Sequence, residues 1–139
     1  MCSSDLEIIM EYHINHVHIR ASDPKASALW YEKYFNAEIV SEREVMPGTV
    51  TIGMKMGGPV RLNISSQPVG ASKEKGSAEL THLGLEHFGF DVEDLDAELI
   101  RLKEAGARIV LPRTDVVGGT RLAYIEGPDD VLIELVQRT

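Results

Sequence analysis

Polar and apolar residues alternate along two short segments, and each segment begins with a histidine. The first, HVHIR, would place His16, His18 and Arg20 on one face of a strand and a valine and an isoleucine on the other. The second, HFGFD, would place His87 opposite two phenylalanines. Each segment therefore predicts a half-buried strand whose polar face carries a histidine.

A helix signal follows each of these strands. Asp23 and Asp94 are residue types that favour the N-cap, and Pro24 suits the first helical position. Gly106 marks the end of the second helix. Apolar residues at helical spacing predict the stripes that pack on the apolar strand faces: Ala28, Leu29, Tyr31, Tyr34 and Phe35 in the first helix, and Leu95, Leu99 and Leu102 in the second.

The remaining elements are strands separated by glycine, proline and aspartate turns, which indicates an α+β fold. We predict strands at 50–56 and 60–64 in the first half, and at 108–111, 121–125 and 131–136 in the second. The composition of residues 65–78 is that of a flexible connector or a lid. We therefore divide the chain into an N-terminal tail (1–11) and one domain (12–139), made of a module at 12–64, the connector at 65–78 and a module at 79–139.

The two halves of the domain repeat each other. His16 and His87 are 71 residues apart, and so are Asp23 and Asp94. Asn63 and Glu134 are separated by the same 71 residues, so each module has an interval of 47 residues from its histidine to this last position. The repeat predicts that His16, His87 and Glu134 occupy equivalent places in duplicated modules.

Composition narrows the class of function. A length of 139 residues with 43% hydrophobic residues suits one globular domain, and a net charge of −8 argues against nucleic acid as a partner. No apolar stretch is long enough for a membrane span, and the acidic first residues are unlike a signal peptide. The single cysteine, Cys2, excludes an intramolecular disulfide. We expect a cytoplasmic protein.

Glu134 is a charged residue inside the apolar run VLIELV, where it needs a partner. Because neighbouring side chains alternate, it would point away from the helices while Ile133 and Leu135 point toward them. Two imidazoles and one carboxylate are donors that a divalent first-row metal prefers, with positions left open for water or substrate. His16, His87 and Glu134 are therefore the predicted ligands of one Mn, Fe, Co, Ni or Zn ion.

Three segments resemble the vicinal oxygen chelate superfamily, which includes glyoxalase I, methylmalonyl-CoA epimerase, extradiol dioxygenases and bleomycin-resistance proteins. NHVHIRASD resembles the strand of the first histidine ligand, EHFGFDVEDLDA the strand of the second, and GGTRLAYIEGPDDVLIEL the closing hairpin with its carboxylate ligand. The resemblance implies two tandem βαβββ modules that form a cupped sheet around a metal ion, often within a homodimer. It also implies a metal that chelates two neighbouring oxygens of a small substrate and stabilises an enolate-type anion.

Two departures from the family pattern bear on the chemistry. Asn63 stands where glyoxalase I has a second carboxylate ligand, and an asparagine cannot act as a proton-transferring base, which argues against glyoxalase I activity. We assign Asn63 to substrate binding, with a role as a fourth metal ligand left open. The family's DPDG turn is here GPDD, with Asp130 where a glycine usually adopts a positive φ, a conformation that aspartate tolerates better than most residues.

His18 and Arg20 share the strand face of His16. We expect His18, with Glu134, to handle protons, and Arg20 to bind an anionic group of the substrate. The leading prediction is thus a metal-dependent lyase or isomerase acting on a small oxygenated molecule. Two alternatives remain open at this point: an extradiol-type dioxygenase using Fe(II), which has the same ligand types, and a ligand-binding protein of the bleomycin-resistance type without catalysis.

Overall fold

The two modules predicted from the repeat are present as two successive βαβββ series. A computed structural model describes residues 12–72, 74, 78, 80–81 and 83–138; the predicted tail with Cys2 and part of the connector lie outside them. The first module contains β1 (His16–Arg20), α1 (Pro24–Phe35), β2 (Glu38–Met46), β3 (Thr49–Lys55) and β4 (Arg61–Ser65), and the second contains β5 (Phe88–Asp91), α2 (Leu95–Glu104), β6 (Ile109–Asp115), β7 (Arg121–Gly127) and β8 (Val131–Gln137). This order confirms the α+β prediction.

Each module has its own four-stranded mixed sheet. The strand orders are β1-β4-β3-β2 and β5-β8-β7-β6, so the same topology occurs twice. In each sheet the first strand runs parallel to the last and the other pairs are antiparallel. β2 and β6 form the outer edges, and the pairing of each with its neighbour is interrupted by register shifts. β1 and β5 border a groove between the modules, lined by Val17 and Phe88 among others.

One strand was not predicted, and most of the others differ from the sequence prediction at their ends. The sequence EIVSEREVM of β2 was not predicted to be a strand, because its mostly exposed residues do not alternate between polar and apolar. β4 is Arg61–Ser65 rather than 60–64, and β6 runs from Ile109 to Asp115, well past its predicted end at residue 111. β5 begins at Phe88, so His87 lies immediately before the strand rather than in it.

Both helices begin directly after the predicted N-cap residues, Asp23 and Asp94. The side chain of Asp23 accepts a hydrogen bond from the backbone N–H of Ala26 at 3.1 Å, and Asp94 does the same for Ala97 at 3.1 Å. Leu29 was wrongly assigned to the apolar stripe of α1, since it is 46% exposed. No helix in the described part of the chain is long and apolar enough to cross a membrane.

Aromatic residues of α1 join the two modules into one core. Phe35 stacks on Phe90 of β5 with ring centroids 4.4 Å apart and planes inclined by 15°. Tyr31 is buried and packs near Phe88, with centroids 6.4 Å apart. At the same contact, the Arg101 guanidinium of α2 donates a hydrogen bond to the carbonyl of Tyr34 at 2.8 Å. The modules are therefore packed against each other and not merely tethered.

The GPDD turn adopts the conformation expected of it. Asp129 and Asp130 both have a positive φ, of 60° and 59°. Asp129 also accepts a hydrogen bond from the backbone N–H of Ser22 at 3.1 Å, which ties this turn of the second module to the loop that precedes α1.

Candidate metal and substrate site

A cleft of about 720 Å³ opens on the sheet of the first module. The predicted polar face of β1 lines it, so His16, His18 and Arg20 share one surface as the alternation indicated, while Ile19 is buried on the other side. All the lining residues belong to the first module: His16, His18, Arg20, Ser41, Arg43, Glu44, Val45, Met46, Thr49, Thr51, Gly53, Asn63 and Ser65.

His18 is held in this cleft by a short chain of hydroxyl groups. Its Nε2 lies 2.8 Å from the Ser65 hydroxyl, which lies 2.7 Å from the hydroxyl of Thr51. Burial, together with the nearby Arg20 and His16, lowers the pKa of His18 below the usual value of 6.5. His18 therefore favours the neutral form, which can accept a proton.

The cleft has more basic than acidic side chains, although the whole chain is acidic. Arg20 and Arg43 line it together with one carboxylate, that of Glu44. Arg20 donates one hydrogen bond to the carbonyl of Ser66 at 2.8 Å, which fixes its guanidinium at the rim. Glu44 accepts from the backbone N–H of Gly48 at 3.3 Å. This surface suits a small molecule that carries a negative charge.

A second cluster lies on the sheet of the other module, around His87. Its Nε2 and the Glu134 Oε2 are 2.7 Å apart, and its Nδ1 donates to the Glu86 carboxylate at 2.8 Å. Tyr124, directly opposite Glu134 in the β7–β8 ladder, donates its hydroxyl to Glu134 at 3.3 Å. Burial and then the Glu134 charge raise the pKa of Tyr124 to about 12, so this hydroxyl keeps its proton.

The sequence around Glu134 explains how a carboxylate is accommodated in an apolar strand. Ile133 and Leu135 are buried in the core, and alternation places Glu134 on the opposite face, as predicted. Gly89 is its neighbour on β5, and a Cβ there would lie only 3.3 Å from the Cβ of Glu134. The equivalent position of the first module carries His18, paired with Asn63. Gly89 thus leaves room beside β8 for the Glu134 carboxylate.

The donors in the second module fit a divalent metal ion. The His87 Nε2 and the Glu134 Oε2 are 2.7 Å apart, the length of a charge-assisted hydrogen bond and a little shorter than the roughly 3 Å between two ligand atoms bound at right angles at about 2.0 to 2.2 Å. Imidazole nitrogen and carboxylate oxygen are also suitable donors for first-row metals. His16 is not in this cluster; it lies in the cleft of the first module. Among the described residues, no three His, Cys, Asp or Glu side chains form a metal-binding group.

Four residues of these clusters were not singled out as functional from the sequence. Glu86 and Tyr124 lie around His87, and Thr51 and Ser65 support His18. Strand pairing places Tyr124 beside Glu134 and the hydroxyls of Thr51 and Ser65 near His18. The pairing of strands cannot be read from a single sequence. Glu86 did leave a signal, because it directly precedes the histidine of its module just as Asn15 precedes His16.

Comparison with known proteins places the chain in a family. Residues 13–135 match the model of the Glyoxalase/Bleomycin resistance protein/Dioxygenase superfamily. The chain belongs to this superfamily. No curated protein is detectably similar to it in sequence.

Solved structures share the fold of this superfamily member at low sequence identity. A glyoxylase/bleomycin resistance protein/dioxygenase domain from Frankia sp. EAN1pec is 20% identical, with a TM-score of 0.76, over 94% of this chain and 100% of that one. A glyoxalase family protein from Enterococcus faecalis is 25% identical, with a TM-score of 0.70, over 89% and 96%. An E144Q mutant of glyoxalase I from Zea mays is 21% identical, with a TM-score of 0.72, over 91% of this chain and 45% of that one.

Proposed function

We propose that this chain is a metal-dependent lyase or isomerase that acts on a small, anionic, oxygenated substrate. The observation that carries the proposal is that the His87 Nε2 and the Glu134 Oε2, atoms of the types that a divalent cation binds, lie side by side, 2.7 Å apart. His16 is the third ligand. A bound Mn, Fe, Co, Ni or Zn ion would polarise a substrate carbonyl as a Lewis acid and stabilise the enolate-type anion formed from it.

The two modules supply different parts of the proposed site. The second module supplies Glu134 and His87, while the first supplies the polar cleft. There Arg20 binds the negative group of the substrate and the Asn63 amide donates to, or accepts from, a substrate oxygen. His18 is neutral and is held by Ser65, so it can take a proton from the substrate carbon; Glu134 assists this proton transfer.

A second copy of the chain completes the site. The cleft that contains His16 is lined only by residues of the first module, and His87 and Glu134 contact each other on the sheet of the second. If the first module of one copy faces the second module of another, all three ligands meet, and a symmetric homodimer has two equal sites.

Mixing two inactive variants tests whether the site is shared between copies. We expect His16→Ala and His87→Ala each to lose activity and tight metal binding. After the two are unfolded and refolded together, half of the dimers are mixed and each has one intact site, so about a quarter of the wild-type sites should return. Metal content and activity measured after refolding check this.

The matched control mixes His87→Ala with Glu134→Ala. Both changes lie in the second module, so every site of the mixed dimer stays defective and no recovery is expected. If the first mixture also fails to recover, the ligands do not come from two copies. If the wild-type protein retains no divalent metal after exposure to each of the five ions, the metal-dependent function itself is wrong.

The reaction class is tested separately from the ligands. Loaded protein in D₂O should exchange a proton next to the carbonyl of small 2-oxo acids, seen as the loss of that proton's NMR signal, and His18→Ala should slow the exchange by about 100-fold or more. Oxygen uptake with catechols, in the absence of such exchange, would identify a dioxygenase instead.

A further inference from the structure

The residue that precedes each predicted histidine ligand accepts a hydrogen bond from its imidazole ring. Asn15 Oδ1 lies 2.9 Å from the Nδ1 of His16, and Glu86 Oε1 lies 2.8 Å from the Nδ1 of His87. Both acceptors are oxygens, so Nδ1 carries a proton in each of these contacts, and Nε2 of His87 faces the Glu134 carboxylate at 2.7 Å. The contact therefore occurs twice, at equivalent positions of the two modules, and leaves Nε2 as the nitrogen available to a cation.

The two contacts differ in charge. Asn15 offers a neutral amide oxygen, whereas Glu86 offers a carboxylate oxygen, and a hydrogen bond to an ionised acceptor is roughly twice as strong. Glu86 is also held from its other side, because its second oxygen accepts the backbone N–H of Thr81. Thr81 has a φ of 79°, an unusual conformation for a β-branched residue, and this conformation accompanies the contact with Glu86.

We infer that Glu86 is a positioning residue that fixes the tautomer and ring orientation of His87 and makes its Nε2 a stronger metal donor, while Asn15 does the same more weakly for His16. This inference rests on the proposed function, since it takes both histidines as ligands. Carboxylates that accept from a ligand histidine typically change metal affinity by about 10-fold to 100-fold when they are removed. The second module consequently dominates the affinity for the ion.

The affinity for Zn²⁺ or Co²⁺, measured by competition with a coloured chelator, tests the inference. We expect the dissociation constant to rise about 10-fold to 100-fold in Glu86→Ala, less in Glu86→Gln, which keeps an acceptor without the charge, and only a few-fold in Asn15→Ala. Asn15→Asp, which adds a charge next to His16, should tighten binding a few-fold.

A second measurement does not depend on the metal. The ring nitrogens of metal-free protein labelled with ¹⁵N should show a proton on Nδ1 of His87, and Glu86→Ala should lower the share of rings that are protonated at Nδ1. Glu126→Gln is the matched control, because Glu126 is about as exposed as Glu86, at 26% against 24%, but pairs with Arg108 away from the site. It should change neither readout.

The outcomes separate this inference from the proposed function. A wild-type protein that binds the ion, with Glu86→Ala binding it equally tightly, overturns the role of Glu86 and leaves the function standing. An unchanged tautomer in folded Glu86→Ala overturns it as well. A wild-type protein that binds no divalent ion overturns both proposals.

Discussion

The hydroxyl of Tyr31 is a polar group buried where the two modules meet. Within the described residues it has no hydrogen-bond partner, and the Asp129 charge nearby adds to burial in raising the pKa of Tyr31 above its usual range. The ring itself is fully packed against aromatic neighbours of α1 and β5. The ring therefore supplies the contacts by which Tyr31 stabilises the fold. Burial of the hydroxyl removes it from water without giving it a hydrogen bond, which lowers stability.

Removing that hydroxyl should stabilise the protein. We expect Tyr31→Phe to raise the free energy of unfolding by about 1 kcal/mol, because a buried polar atom without a partner is lost and the ring stays. Urea denaturation followed by circular dichroism measures the change. Tyr34→Phe, at a half-buried tyrosine of the same helix, is the control and should have little effect. A loss of stability in Tyr31→Phe would show that the hydroxyl has a partner.

At the level of residues, the sequence predicted which face of a strand a side chain occupies better than it predicted which side chains contact each other across strands. Alternation alone placed His16, His18 and Arg20 on one surface and Glu134 opposite the core, since a strand fixes these directions locally. It did not predict that Tyr124 reaches Glu134, because that contact depends on the register between β7 and β8. The ligand role of His16, His87 and Glu134 stays a prediction.

At the level of elements, each helix begins at an aspartate that satisfies one of its free backbone N–H groups. Asp23 and Asp94 adopt extended backbone conformations and accept from the residue three positions later in both modules. This local signal was strong enough for both starts to be predicted from sequence. β2 was missed because its polar residues contain no periodic pattern, and its strand character comes from pairing with β3.

Loss of either cap should weaken the fold by a similar amount. We expect Asp23→Ala and Asp94→Ala each to lower the free energy of unfolding by about 1 kcal/mol, because one backbone donor loses its partner at each helix start. Urea titration of the two variants measures the loss. Glu32→Ala, at an exposed position within α1, is the control and should be close to neutral. Two neutral cap variants would contradict this account.

For the whole molecule, the shared aromatic core predicts that the two modules unfold together. The chain has one tryptophan, Trp30, which packs against Tyr31 and lies close to Gly127 of the second module. Its fluorescence therefore reports on the contact between the modules, whereas far-ultraviolet circular dichroism reports on both. The two probes should give coincident urea transitions. Separate midpoints would mean that one module melts while the other stays folded.

The outer strands β2 and β6 are unfavourable edges for the addition of a strand from another chain. β2 carries Glu38, Glu42, Arg43 and Glu44 among its nine residues, and β6 carries Pro112, which has no backbone N–H to offer. A foreign chain that tried to add itself there would meet charges, kinks and a missing donor. Pairing of another chain with β2 or β6 is therefore disfavoured.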